Sequence, residues 1–334
     1  MTTQAKPLVK VVSAGGTITG IGRGRLDLTN YTDTGDRLQV EELLARVPEV
    51  QEVARIQGVQ STMFRITIST QDWLELHGLL TRILQEPEVA GVVVTHGTSL
   101  MEETAYFLHL TLKSEKPVVL VGAQRPSTAI SGDGDLNLLS AVRVIASSQA
   151  HGMGVMVCMN EEINSAREVT KSSAYRVHTF QSRDLGFLGY ADSDGRVVFY
   201  RRPTRRHTSQ SELDVTGVTD LPRVDIVYVH AGCDGLPVEA LVERGAKGIV
   251  TAGAGAGNTS EPMTEALARA RQQGVAVVES TRVGSGRVVV TEARKRHGFV
   301  AADNLSPQKA RILLMLALLE TNDPAELQRL YDEY

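Results

Sequence analysis

At 334 residues, with 42% hydrophobic and 22% charged side chains, the chain is too long for one small core and has the make-up of an ordinary globular protein of two domains. A net charge of -4 and a pI near 6.1 leave no electrostatic case for nucleic acid or an anionic membrane surface, and 4% aromatic residues argue against broad base-stacking platforms. The two cysteines, Cys158 in an apolar run and Cys233, lie far apart without metal-ligand spacing, no stretch reaches ~18 continuous apolar residues, and the N-terminus lacks a signal-peptide core, so the expectation is a cytoplasmic chain without disulfides.

The first apolar run, residues 8–14, predicts a buried strand ending in Gly15-Gly16. Without β-carbons the backbone can turn tightly there and approach a bound molecule. Thr17 then stands at a strand's carboxyl end, the edge where open α/β sheets take ligands, and its hydroxyl reads as a nucleophile or as the cap of a simple turn. The polar stretch from Gly20 to Asp36 has the composition of a lid. Within it, the phenol of Tyr31 is a candidate acceptor or relay for the Thr17 proton.

A helix over 40–46, a strand over 53–56 and a loop with Gln60, Ser61 and Thr62 come next, Ser61 reading as a substrate contact or a turn residue. Apolar residues at Trp73, Leu74, Leu76, Leu79, Leu80 and Leu84 predict an amphipathic helix over 71–84, with Trp73 in the core. Residues 91–95 predict a second buried strand, followed by His96-Gly97-Thr98-Ser99 and a helix. A helix N-terminus there favours a carboxylate or a developing oxyanion. Ser99 and Glu102 have the spacing of a capping box, which leaves His96-Gly97-Thr98 unexplained. This is the second glycine–threonine pair at a strand end.

A third strand over 117–123, the loop Gln124-Arg125-Pro126-Ser127 and a helix starting near Leu136 follow, then a strand over 154–159. Lys171 reads as a solvated lysine or, inside a site, as an ammonium that depresses a hydroxyl's pKa or carries a proton. The alternation of strands and helices predicts an α/β fold, a larger N-terminal parallel or mixed sheet flanked by helices plus a smaller C-terminal α/β domain. A shift to Gly, Asp, Ser, Arg and Thr from Arg183 to Leu221 marks the connection. It assigns 1–200 to the first domain, 201–221 to the linker and 222–334 to the second. The basic run Arg201 to His207 reads as a solvated linker or an oligomer contact.

In the second domain, strands are predicted over 224–228, 248–252 and 275–279, and helices over 237–245, 261–272, 307–320 and from Asp323 to the end. The glycines of Gly253 to Asn258 suggest a phosphate cradle, but no P-loop lysine follows and the spacing is not the dinucleotide fingerprint.

Ala14-Gly15-Gly16-Thr17-Ile18, Thr95-His96-Gly97-Thr98 with Met101-Glu102-Glu103-Thr104-Ala105, and Val121-Gly122-Ala123 with Arg125-Pro126 together resemble the bacterial-type L-asparaginase/glutaminase family. Gly298-Phe299-Val300, Leu305 to Arg311 and the closing helices resemble its C-terminal domain, so the similarity spans nearly the whole chain. The resemblance implies an amidohydrolase in which Thr17 attacks a side-chain amide carbon and ammonia leaves, with no metal or cofactor. It implies Tyr31 as the proton acceptor, Thr98 and Lys171 as the second threonine and its lysine, and Ala123 as a backbone contact to the amide. Ser61 stands nearest the family's substrate-binding serine, at a longer spacing from Trp73 than the usual pattern. The resemblance further implies a homodimer or homotetramer whose sites a neighbouring subunit completes, Asn258 matching the C-terminal asparagine contact and Glu292 standing nearest the partner glutamate.

One departure concerns the substrate. Where the family usually carries an aspartate paired with the substrate's α-ammonium, directly after the second threonine, this chain has Ser99. Three readings stay open: an asparaginase, a same-fold amidase acting on an amide without a free α-amine, and a non-catalytic small-ligand binder. Retention of Thr17, Tyr31, Thr98 and Lys171 argues against the last.

Overall fold

The computed structural model describes residues 5–61 and 68–334, with the backbone alone at Thr34; Thr62 of the predicted loop lies outside them. The chain divides into two compact units, Met1–Gln210 and Ser211–Tyr334.

In the first unit, β1 (Leu8–Ser13) leads through the short α1 (Tyr31–Thr34), α2 (Val40–Ala45) and α3 (Val50–Val53) to β2 (Arg55–Gln60). Helix α4 (Thr70–Leu84) precedes β3 (Val89–Thr95), α5 (Met101–Thr111) precedes β4 (Val118–Val121), and α6 (Gly134–Ala146) precedes β5 (Val155–Met159). These five strands pair in parallel. Valine dominates β3 and β4, as expected of strands buried on both faces. Helix α3 packs beside α6 and α4 beside α5, which covers the sheet. Trp73 of α4 is core, stacked on Phe107 with ring centroids 5.3 Å apart and donating its indole N–H to the Thr104 hydroxyl at 2.8 Å.

The sheet then grows by antiparallel additions: β6 (Glu162–Ser165), β9 (Gly189–Ala191) and β10 (Val197–Phe199), while β7 (Thr170–Lys171) and β8 (Phe180–Gln181) form a separate hairpin. The eight-stranded order is β10-β9-β6-β5-β4-β3-β1-β2. Since β2 and β3 flank β1 on opposite sides, the strand order reverses between β1 and β3. That is the switch point where an open α/β sheet leaves a crevice at its carboxyl edge.

Two expectations shift. The strand predicted over 53–56 starts at Arg55, because residues 50–53 close one helical turn, with the Ala54 N–H donating to the Val50 carbonyl. Strands β9 and β10 belong to the first sheet, so the connection begins later than Arg183. At Gly189 a β-carbon would collide with the Val198 carbonyl oxygen, and only glycine permits that approach.

The second unit holds β11 (Val224–Tyr228), β12 (Gly248–Gly253), β13 (Ala276–Thr281) and β14 (Val300–Ala301), all parallel and in that order. Helices α7 (Leu236–Glu243) and α8 (Glu261–Gln272) pack together over a core of Val238, Ile249, Met263, Leu267 and Val277. After the short α9 (Glu292–Lys295), α10 (Pro307–Ala317) packs on β11 to β13, and α11 (Pro324–Glu333) follows. Asp323 caps α11 by accepting the Glu326 N–H, and the Tyr331 hydroxyl donates to the Ala310 carbonyl at 2.6 Å.

Candidate active site

The carboxyl ends of β1 and β3 meet backbone to backbone. Gly15 and Gly16 have φ of 82° and 92°, and a β-carbon on Gly16 would lie 2.6 Å from the His96 and Gly97 main chain. The glycine pair read from the sequence as a close approach is therefore an approach to the next strand end. Thr17 opens a single 3-10 turn, Thr17–Thr19, and its hydroxyl oxygen lies 2.8 Å from the Tyr31 phenol oxygen, a hydrogen bond in which either can donate.

The segment between them is tied to the connection after β4. The Ser127 N–H and hydroxyl both donate to the Gly20 carbonyl, the Gly22 N–H to the Thr128 hydroxyl, and the Ile130 N–H to the Arg25 carbonyl. A β-carbon at Gly20 would reach within 2.9 Å of the Tyr31 ring, so glycine there lets the phenol lie over Thr17.

Beyond β3, the buried Thr98 hydroxyl accepts a hydrogen bond from the Lys171 ammonium at 2.7 Å and donates to the Gln124 amide oxygen at 3.1 Å. Lys171 also donates to that amide oxygen at 3.3 Å. Partial burial lowers the Lys171 pKa, which favours a neutral amine beside a hydroxyl. The Glu102 carboxylate accepts the Thr170 hydroxyl and the Lys171 backbone N–H, both at 3.1 Å. It thereby anchors β7, and α5 starts with Leu100 at its N-cap and no side-chain cap, so the Ser99–Glu102 capping box is not formed. His96 is fully buried; desolvation pushes its pKa down to about 4 and keeps the ring neutral, with Nδ1 2.8 Å from the Gly97 carbonyl oxygen.

The structure thus brings Thr17 to Tyr31 and Thr98 to Lys171, on two strand ends in direct contact. Ala123 is buried just after the next strand, β4, where Asn137 holds the Gly122 carbonyl at 3.0 Å. Ser61 is buried just after β2, its N–H donating to the Ser13 carbonyl. Ser99 is exposed. Asn258 and Glu292 are exposed on the second unit, where Arg294 reaches the Asn258 side-chain oxygen at 3.4 Å and Glu292 pairs with Lys295 at 2.9 Å. Cys158 is buried, with its thiol pushed up to about 12 by desolvation, so it is no nucleophile.

Gln124 is the residue that sequence reasoning missed. It contacts both Thr98 and Lys171, and its only signal in the chain is its place directly after the third strand.

The family description "Asparaginase, N-terminal" matches residues 8–205, and "Glutaminase/Asparaginase C-terminal domain" matches residues 223–331. L-asparaginase 2 of Bacillus subtilis is 41% identical over 329 residues, covering 98% of this chain and 87% of the relative. Glutaminase-asparaginase of Pseudomonas fluorescens is 39% identical over 330 residues, covering 98% and 90%. A probable cytoplasmic L-asparaginase from Campylobacter jejuni superposes with a TM-score of 0.91 at 41% identity, covering 98% of this chain and all of that one. Both units and the switch-point site fall inside these matches, and the chain belongs to the asparaginase/glutaminase family.

Proposed function

We propose that the protein hydrolyses the side-chain amide of L-asparagine, with L-glutamine as a second substrate, giving the acid and ammonia through Thr17 as nucleophile. The observation that carries this reading is the pairing of each threonine hydroxyl with its own proton partner at adjoining strand ends, Thr17 with Tyr31 and Thr98 with Lys171. The Thr17 oxygen attacks the amide carbon while its proton passes through the Tyr31 phenol, which accepts it and gives its own to the amide nitrogen. The nitrogen so protonated leaves as ammonia; water then attacks the Thr17 ester, giving a proton through Thr98 to a neutral Lys171, and that proton returns to the Thr17 oxygen as the acid departs. Helix α5 starts three residues after Thr98, and the positive end of its dipole favours negative charge developing on a carbonyl oxygen bound there. The activities for which the relatives are named, L-asparaginase and glutaminase-asparaginase, support the choice of amide.

A second reading has a specific observation behind it. Ser99 is exposed and neutral beside Thr98, at the position where the family usually offers aspartate to an α-ammonium. A substrate without a free α-amine suits a serine there. The working form we infer is a cytoplasmic homodimer or homotetramer, in which the exposed Asn258 and Glu292 serve a neighbouring subunit's site and Ser61, Ser99 and Ala123 contact substrate.

Ammonia release from L-asparagine, L-glutamine and the des-amino amide succinamate tests both readings. The first predicts the highest kcat/KM on L-asparagine. Turnover of succinamate alone supports the second, and release from none of the three overturns both.

A further inference from the structure

We propose that Gln124 is a positioning residue of this reaction: its amide oxygen sets the direction of the Thr98 hydroxyl proton and the readiness of Lys171 to give up its own. The proposal rests on the amidohydrolase reading above. The Gln124 oxygen receives two donors at once, the Thr98 hydroxyl at 3.1 Å and the Lys171 ammonium at 3.3 Å. Its amide nitrogen donates outward to the Arg176 carbonyl at 3.2 Å. A flipped amide would set an NH2 against an ammonium and leave that carbonyl facing an oxygen, so the orientation is determined by its neighbours.

The backbone beneath is equally fixed. The Asp133 carboxylate accepts the N–H groups of Gln124 and Arg125, with its two oxygens 2.9 and 3.2 Å from the Gln124 nitrogen. Asn137, one turn into α6, donates to the same carboxylate at 3.3 Å.

The consequence concerns where the proton lies. While Lys171 is charged it donates to Thr98, and the Thr98 proton must point elsewhere; Gln124 supplies that acceptor. When Lys171 loses its proton the hydroxyl can turn to the amine and become the base's donor. Burial favours the neutral amine, whereas the Gln124 oxygen, an acceptor only, favours the ammonium.

Charged groups border the Lys171–Gln124 pair on three elements. From α5, the Glu102 carboxylate accepts the Lys171 backbone N–H and the Thr170 hydroxyl; from the β4–α6 connection come Asp133, bound to backbone N–H groups, and Arg125, donating to the Ser131 carbonyl; Arg176, between β7 and β8, presents its carbonyl to Gln124. A change at residue 124 is therefore a direct change in what the Lys171 Nζ meets.

Two variants separate this role from a merely structural one. Gln124→Met has similar length and no strong acceptor, so it takes away support for the ammonium. Gln124→Glu keeps the shape and adds a negative charge, so it strengthens that support, and it keeps the test open if the methionine variant does not fold. The Lys171 titration is read by NMR of full-length protein labelled at lysine Cε, with Lys171→Arg identifying the signal, alongside kcat and KM for L-asparagine against pH.

The expected result is a shift of roughly one pH unit downward in Gln124→Met and upward in Gln124→Glu, with the ascending limb of kcat following each. At neutral pH kcat falls roughly tenfold in Gln124→Glu while KM holds. Lys171 titrations that do not move, or that move in the same direction in both variants, overturn the proposal. If the unmodified protein releases no ammonia from any amide, the amidohydrolase reading fails, and the Lys171 titrations still decide the role of Gln124.

Discussion

Ser99 is exposed one residue beyond the buried Thr98, and its hydroxyl offers a substrate's ammonium only a neutral acceptor. A charge-assisted hydrogen bond is roughly twice as strong as a neutral one, a difference of about 1 kcal/mol at a partly open site. Ser99→Asp is therefore expected to raise kcat/KM for L-asparagine about fivefold or more relative to succinamate. Equal ratios in variant and parent would show that no substrate ammonium reaches this position. At this scale the site was legible where residue type and chain position are both unusual. Thr17 and Thr98 follow glycines at strand ends, and Tyr31 lies in a polar segment beside them. Gln124 was not legible, because a loop glutamine has no local signature and its contacts exist only once β3 and β4 lie side by side. The roles of Asn258 and Glu292 rest on resemblance alone, and Glu292 meets an ordinary i,i+3 surface partner in Lys295.

Strand β13 and helix α9 hold a buried carboxylate paired with an arginine. Glu279 of β13 is wholly buried against Arg294 of α9 at 3.1 Å, and its Oε1 lacks a hydrogen-bond partner among the described residues. Desolvation outweighs the pairing and pushes its pKa up from 4.5 to about 7. The folded chain thus holds this proton between about pH 4.5 and 7, where an unfolded chain has lost it, so stability falls as pH rises through that window. Between pH 5 and pH 8 the loss is on the order of 1–3 kcal/mol, and Glu279→Gln is expected to flatten it in urea denaturation. The same pH dependence in both proteins would contradict this assignment. Elements of this length were legible from periodicity: α8 spans the predicted 261–272, and β11 the predicted 224–228. Strands β6, β9 and β10, of 4, 3 and 3 residues, are too short for a period to show and pair only because β5 supplies an edge.

For the molecule as a whole, the first sheet's strand order decides where chemistry can occur. Reversal between β1 and β3 opens one crevice, and glycines at both strand ends let the main chains touch beside it. Two units of α/β construction were predictable from alternating apolar runs. The position of the switch point was not, because strand order depends on which edges pair and no run of sequence records that. The proposed hydrolysis turns on the Thr17 hydroxyl oxygen as the atom that attacks the amide. Ammonia release from L-asparagine by the unmodified protein, Thr17→Ser and Thr17→Ala, each checked for native circular dichroism, tests this most directly. The account predicts that serine retains measurable turnover while alanine lowers kcat by roughly 10³-fold or more. An alanine variant that works at the rate of the unmodified protein would contradict it.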